Sequence, residues 1–366
     1  MANRCPGIDL DTRYAVNIGI VRERGPFDRR VGLTPPVVRR LTSAGHIVWV
    51  ESGAGGGAMF PDTEYMRAGA QIAYAPADVM QRADLVAKIA RPSLDEIRYC
   101  RPGTAVMAFY HMAVADRALL EALEERCLTA IGCEIIQLEN GRHPVLAAVS
   151  DIAGQMVIPL AAHLLRSSSG GRGILLGGSP GLPPARVMVL GAGAVGSAAA
   201  RAAVAAGARV TALDIAPNQL RRIMEHVRGV ETCLADPDAI AEAITAADVV
   251  IGAVLQAGRR SPHVVTRAMV ETMQPGSVII DVSIDEGGCV ETSRPTTLAE
   301  PTFVYKGVTH FCVPNFTADL GRSSSVAISQ AMLPYVLKIA DCGVEKALAE
   351  CGDLQRGVHT LKGKRP

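Results

Sequence analysis

Residues 186–214 constrain this chain more than any other stretch. They read RVMVL, then GAGAVG, then the Ala-rich run SAAARAAVAAGA, then RVTALD. An apolar run, a glycine turn, a helix former and a second apolar run make a βαβ unit, and its three glycines have separate tasks. Gly191 makes the tight turn, Gly193 lets a pyrophosphate approach the backbone, and Gly196 lets the helix lie close on the strand. Ala194 and Val195 open the helix, whose free N–H groups and partial positive charge suit phosphates. Asp214 ends the second strand, where a carboxylate binds both ribose hydroxyls of NAD and repels the 2′-phosphate of NADP. The unit is therefore read as the start of a dinucleotide-binding domain that takes NAD(H).

The rest of the chain repeats this style of organisation. Apolar runs at 15–21, 46–51, 83–90 and 104–109 are read as strands, with helices between them at 116–125 and after Thr34, where Pro35 and Pro36 sit in a first turn. A long apolar helix is expected over 150–166, from a Ser-Asp start. The Gly/Ser-rich stretch 167–184 then marks a junction, and VMVLGAG, VTALD, DVVIGAV and SVIIDVS supply four more strands. Strands alternating with helices imply a doubly wound α/β fold with two Rossmann-like parallel sheets. A final helix at 325–340 has no place in the second sheet, so it is expected to cross back to the first.

Composition narrows the function classes. With 366 residues the chain has room for two domains, and a net charge of +1 gives no reason to expect nucleic acid or an anionic membrane as partner. Aromatic residues are 4%, too few for base-stacking platforms. Nine cysteines, an odd number with no CxxC pair, are read as reduced thiols of a cytoplasmic protein. The N-terminus lacks the charged-then-apolar order of a signal peptide, and no uncharged run is expected to reach the length of a bilayer span. No His/Cys cluster has metal-ligand spacing, so no metal is expected.

Longer segments carry a family resemblance. DRRVGLTP and FYHMA stand in the first half, GGRGILLGGSPGLPPARVMVLGAG leads into the fingerprint, and IGAVLQAG, IDVSIDEGGCVETSRPTT and HFCVPN follow it. In this order they resemble the alanine dehydrogenase family, relatives of the NAD-binding subunit of transhydrogenase. The resemblance implies NAD-dependent, reversible deamination of a small amino acid to a 2-oxo acid and ammonia. It implies a split substrate domain, 1–145 with 315–366, into which an NAD domain, 146–314, is inserted. It implies a homo-oligomer, often a hexamer. It also implies site residues. Arg30 matches an arginine that grips the substrate carboxylate, which suits a planar guanidinium. His111 matches the histidine that handles the proton at the reacting carbon, and Asp285 matches the aspartate near the nicotinamide and substrate nitrogen. Asn315 matches a contact to substrate and nicotinamide, Glu134 a glutamate at the substrate pocket, and Ser150, Val254 and Leu255 positions that line the cofactor.

One departure bears on the substrate. The family pattern Lys-x-Lys-x-Pro places its second lysine on the substrate. Here the segment is Lys88-Ile89-Ala90-Arg91-Pro92. Lys88 keeps the first place as a substrate-binding candidate, Ala90 stands where the second lysine belongs, and Arg91 points to the opposite face unless the strand bends. Near the end, Asp319-Leu320-Gly321-Arg322 replaces a proline-containing loop. Three readings follow. The preferred one is an NAD-dependent dehydrogenase for a different amino or imino acid. The others are L-alanine dehydrogenase itself and an NAD-binding protein with little chemistry of its own.

Overall fold

The structure, a computed structural model, describes residues 15–256 and 258–365. Segment 1–14, read above as lacking a targeting signal, and Cys5 within it lie outside the described residues.

Two seven-stranded sheets carry the chain. In the first, Asn17–Ile20 (β1), Ile47–Glu51 (β2), Gln71–Ala73 (β3), Leu85–Ala90 (β4), Ala105–Phe109 (β5) and Thr129–Gly132 (β6) are parallel. In the second, Arg186–Leu190 (β7), Arg209–Asp214 (β8), Val230–Leu234 (β9), Val249–Gly252 (β10) and Val278–Asp281 (β11) are parallel. Thr302–Tyr305 (β12) and Val308–Phe311 (β13) form a hairpin beside β11. The last strand, Val358–Thr360 (β14), returns to the first sheet and pairs antiparallel with β6.

The spatial orders are β3-β2-β1-β4-β5-β6-β14 and β9-β8-β7-β10-β11-β13-β12. Both reverse direction beside their first strand, between β1 and β4 and between β7 and β10. At such a reversal the loops leaving the two strand ends splay apart and open a crevice at the carboxyl edge. Apolar runs buried on both faces, such as VVIG in β10 and VIID in β11, are what a sheet covered on two sides demands. Each fully buried Val or Ile there contributes about 1.5–3 kcal/mol.

Two long helices tie the sheets together. The first, Pro144–Leu164, begins six residues before the Ser150 start expected from sequence, because Pro144 occupies its first turn and His143 its N-cap. Val145 packs into the core of the first sheet, and Val157, Ile158 and Ala161 pack into that of the second. With 21 residues it has the length and apolarity of a bilayer span, although Asp151 interrupts it with a charge. Here it is an internal strut. Gly154 faces the helix that follows the fingerprint, Ala194–Ala205, and a Cβ there would lie 2.6 Å from Ala198 Cβ. Only glycine allows that approach.

The second long helix, Gly321–Cys342, puts Ile328, Met332, Val336 and Ile339 into the core of the first sheet. Gly321 opens it because a Cβ would meet Arg29 Cβ at 2.7 Å. The next residue, Arg322, donates to Met59 O at 2.9 Å and lies over the Phe60 ring, so the Asp319–Arg322 segment closes against the loop after β2.

Strands β3, β6, β9, β12, β13 and β14 are not legible in the sequence as strands. β3 and β14 have three residues each, and β9 is an edge strand whose VETCL is mostly solvated. β3, β9, β12 and β14 lack the buried apolar run that marks a central strand. β6 (TAIG) and β13 (VTHF) are buried throughout, but four residues are too few to distinguish from a helix fragment.

Candidate active site

The carboxyl ends of both sheets open onto one cleft of about 720 Å³, counting the space open to solvent. Arg30, Phe109 and His111 reach it from the first sheet. Asp285, Glu286, Asn315 and Thr317 reach it from the second, with Val195, Val254 and Leu255 on the nucleotide side. Leu146, Val149 and Ser150 line it from the Pro144–Leu164 helix.

The fingerprint has the geometry its residues require. Gly191 has φ +93°, closed to residues with a side chain at little cost, and its N–H bonds Leu213 O at 2.7 Å. A Cβ on Gly196 would collide with Gly191 O, so helix and strand meet there at backbone distance. Gly193 is the opposite case: a Cβ would meet nothing within 4 Å, and the open space beside the helix N-terminus is a cradle for a pyrophosphate. Asp214 accepts from Ala192 N and Ala216 N, each at 2.7 Å, which fixes its carboxylate at the end of β8. Ile215 beside it is exposed, an apolar face next to the ribose site. Residues Gly191, Gly193, Ala194, Val195, Gly196 and Asp214 therefore fit NAD.

Across the cleft, Arg30 is almost wholly buried yet neutralised. Its guanidinium bonds Asp28 at 2.9 and 2.6 Å, and its remaining edge faces Thr317 Oγ1 and Asn315 Oδ1, both at 3.4 Å. Asp28 and Thr317 carried no signal in the sequence, since a carboxylate two residues away in a charged loop looks solvated. The clamp pre-orients a fork that a carboxylate can dock against.

His111 and Asn315 both adopt left-handed backbone, φ +47° and +51°. For non-glycine residues this costs on the order of 1 kcal/mol each, and it turns both side chains across the ends of their strands. Each is held in place by a carboxylate. Asp285 Oδ1 accepts Asn315 N at 2.7 Å, and Glu134 accepts both Tyr110 N and His111 N. His111 Nδ1 meets Glu286 Oε1 at 2.8 Å. Burial pulls the His111 pKa down, but the Glu286 hydrogen bond and the charges of Asp285 and Glu134 outweigh it and lift the value to about 9.

Two residues proposed for the substrate lie elsewhere. Lys88 is 1% exposed and does not line the cleft. Its ammonium is held by Glu96 Oε1 at 2.9 Å and Glu23 Oε2 at 3.5 Å. Burial works against that charge, and the two carboxylates prevail, so its pKa sits above the ordinary lysine value. Glu134 is also outside the cleft, beneath His111. Burial would raise its pKa, but the hydrogen bond from His359 and the His111 charge bring it below the ordinary value. Neither side chain lines the cleft.

The pairing of β4 with β5 slips between Ala87 and Ala90, so the strand does bend where the lysine pattern departs. Ala90 N donates to Glu23 Oε2 at 3.2 Å, and Arg91 turns to donate to Tyr110 O at 3.3 Å, the residue before His111. Arg91 does not line the cleft. Among the described residues that do, Arg30 and His111 are the only basic side chains.

Comparison with known proteins agrees with this geometry. The family description "Alanine dehydrogenase/PNT, N-terminal domain" matches residues 19–153, and its C-terminal partner matches 157–365. The chain belongs to the alanine dehydrogenase/PNT family. The alanine dehydrogenase of Halomonas elongata is 40% identical over 350 residues, covering 95% of this chain and 94% of that one. That of Mycolicibacterium smegmatis is 40% identical over 348 residues, with the same coverage. A solved L-alanine dehydrogenase superposes with a TM-score of 0.89 at 39% identity, over 95% of this chain and 96% of the other. A transhydrogenase from Sinorhizobium meliloti follows at 0.79 and 26%, over 95% and 98%. The protein is thus an NAD-dependent oxidoreductase acting on the CH–NH2 group of an amino acid.

Proposed function

We propose that the substrate is L-alanine, converted with NAD and water to pyruvate, ammonia and NADH. The observation that carries this reading is the single cleft in which Arg30 and His111 of one sheet face Asp285, Asn315 and the nucleotide crossing of the other. The shared name of the 39–40% identical relatives favours alanine over another amino acid.

Arg30, with Thr317 and Asn315 at its free edge, takes the substrate carboxylate. Phe109, Leu146 and Val149 give a short apolar wall for a methyl group. NAD, when bound, supplies the two-electron acceptor for the α-carbon hydrogen. Asp285, anchored on Asn315 N, faces the nitrogen that leaves as ammonia. His111 holds the proton exchanged between water and the substrate oxygen, a role suited to imidazole. Ser150, Val254 and Leu255 keep the nicotinamide side of the cleft largely apolar and limit water.

Ala90 favours a second reading, a dehydrogenase for a larger amino or imino acid, because no charged side chain stands at that strand position. A screen of amino acids with NAD, and of 2-oxo acids with NADH and ammonium, followed by NADH absorbance, separates the two. Alanine and pyruvate as the best pair support the first; a poor alanine rate beside a strong rate on a bulkier substrate supports the second. We infer further a homo-oligomer, a hexamer by family resemblance, in a reducing cytoplasm. Eight described cysteines without disulfides and the exposed apolar side chains of Met59, Tyr74 and Val304 support that inference. Light scattering of the purified chain measures the assembly.

A further inference from the structure

Glu286 has no part in the scheme above, yet it lines the same cleft. It ends the short turn Val282–Glu286, one residue after Asp285, and is 4% exposed. Its Oε1 meets His111 Nδ1 at 2.8 Å, and its Oε2 is buried without any hydrogen-bond partner. A buried carboxylate with an oxygen left over is strongly unfavourable unless a positive charge lies against it. Neutral His111 would leave Glu286 as an uncompensated charge. Protonated His111 donates Nδ1–H to Glu286 and keeps Nε2–H free, since Nε2 has no protein partner among the described residues.

We propose that Glu286 is a positioning residue that holds His111 as an imidazolium at neutral pH, so that the enzyme at rest presents an Nε2–H donor to a 2-oxo acid and is set for the reductive direction. The proposal rests on the amino-acid dehydrogenase reading and specifies how its histidine is charged. In reduction the Nε2 proton passes to the substrate oxygen as that oxygen leaves as water. In oxidation the same nitrogen takes a proton from the attacking water, which requires the neutral ring and therefore alkaline pH.

The surroundings of His111 bear this out from every side. Asp285 and Glu286 face it from the turn after β11, and Glu134 lies under its backbone, itself bonded to His359 of β14. Among the guanidiniums of this region, Arg30 is paired with Asp28, Arg91 is turned to Tyr110 O, and Arg260 packs on Gly287 beside the Glu286 turn. The carboxylates of Asp285, Glu286 and Glu134 are the groups that raise the charge on the ring. The lift of its pKa to about 9 follows from that arrangement, chiefly the Glu286 hydrogen bond working against burial.

The test is a pH titration of the histidine ring signals by NMR in the cofactor-free full chain, with His111 assigned by its loss in His111→Asn. The wild-type midpoint is expected well above the ordinary value of about 6.5. In Glu286→Gln, which keeps an acceptor but removes the charge, it is expected to fall by at least about one unit. A wild-type midpoint at or below the ordinary value, or an unmoved midpoint in the variant, overturns the proposal. This readout needs no substrate, so it stands or fails independently of whether alanine is turned over, and the wild-type midpoint alone decides if the variant does not fold. Kinetics supply the second readout. The rising limb of kcat/KM for oxidation should move to lower pH in Glu286→Gln by the same amount as the ring titration. A uniform fall in kcat with the limb unmoved would mean a merely structural role.

Discussion

Replacing Lys88 with methionine keeps the length of the side chain and removes the cation between Glu23 and Glu96. Both carboxylates are buried, at 4% exposure each, and stay in place because Glu23 also accepts Ile89 N at 2.7 Å and Glu96 caps the helix Leu94–Tyr99 through Ser93 N at 2.8 Å. Breaking a buried pair by removing one partner costs about 3–5 kcal/mol. The half-exposed Arg24, 4.0 Å from Glu96, offsets part of the loss, so the lower end of that range applies. In a domain of this size roughly 3 kcal/mol lowers Tm by about 6–12 °C.

The cost must also depend on pH. Burial already pushes the Glu23 pKa up, and without the ammonium it rises further above its unfolded value. The variant therefore takes up a proton on folding, is most destabilised at alkaline pH, and recovers as falling pH supplies the missing positive charge. Thermal and urea unfolding of wild type and Lys88→Met from pH 5 to pH 8 measure this, with the triple variant carrying Glu23→Gln and Glu96→Gln expected to regain most of the loss. Steady-state kinetics on the folded variant should show a substrate KM within a few-fold of wild type. Unchanged stability together with a KM raised a hundredfold would refute the reasoning and return Lys88 to the substrate.

Four shorter predictions concern the cleft. Arg30→Lys gives up the fork held by Asp28 and should raise the KM for the amino acid about a hundredfold by steady-state kinetics, with a smaller effect on kcat. Gly196→Ala forces the fingerprint helix off β7 and should weaken NAD binding at least tenfold by calorimetry; unchanged affinity would mean the close approach is unimportant. Asp214→Ala removes the charge that opposes a 2′-phosphate and should shift the NADP-to-NAD preference upward by about tenfold or more in competition kinetics. Ala90→Lys places a cation at the bent end of β4 and should raise the kcat/KM for alanine if that position faces the substrate; no change would place it elsewhere.

The resemblance identified most of the cleft by residue, and the structure sorts those residues by what they touch. Arg30, His111, Asp285 and Asn315 converge because each follows the carboxyl end of a parallel strand, which the apolar runs announce for β1, β5 and β11 but not for β13. Val254 and Leu255 line the same space for the same reason, whereas Ser150 reaches it from the Pro144–Leu164 helix. Lys88 could not be placed from sequence, because a lysine inside a strand reads identically whether it faces a ligand or, as here, two buried glutamates. Its partner Glu23 comes from the end of β1, and sequence carries no sign of which strand will lie beside which. Glu286 stayed silent because its meaning depends on His111, 175 residues away.

The unit at 186–214 is what the sequence determined by itself. Turn, helix and strand follow each other within one local motif, and glycine is required at 191 and 196 by backbone geometry that no distant residue can alter. The charges are what tertiary structure decided. Whether Arg30 is free or clamped, whether Lys88 binds substrate or stands between carboxylates, and whether His111 is neutral or charged are set by partners from other strands. Those partners matter at a few ångströms, in a buried site where water cannot screen them, and only the packing of two sheets against one cleft brings them there.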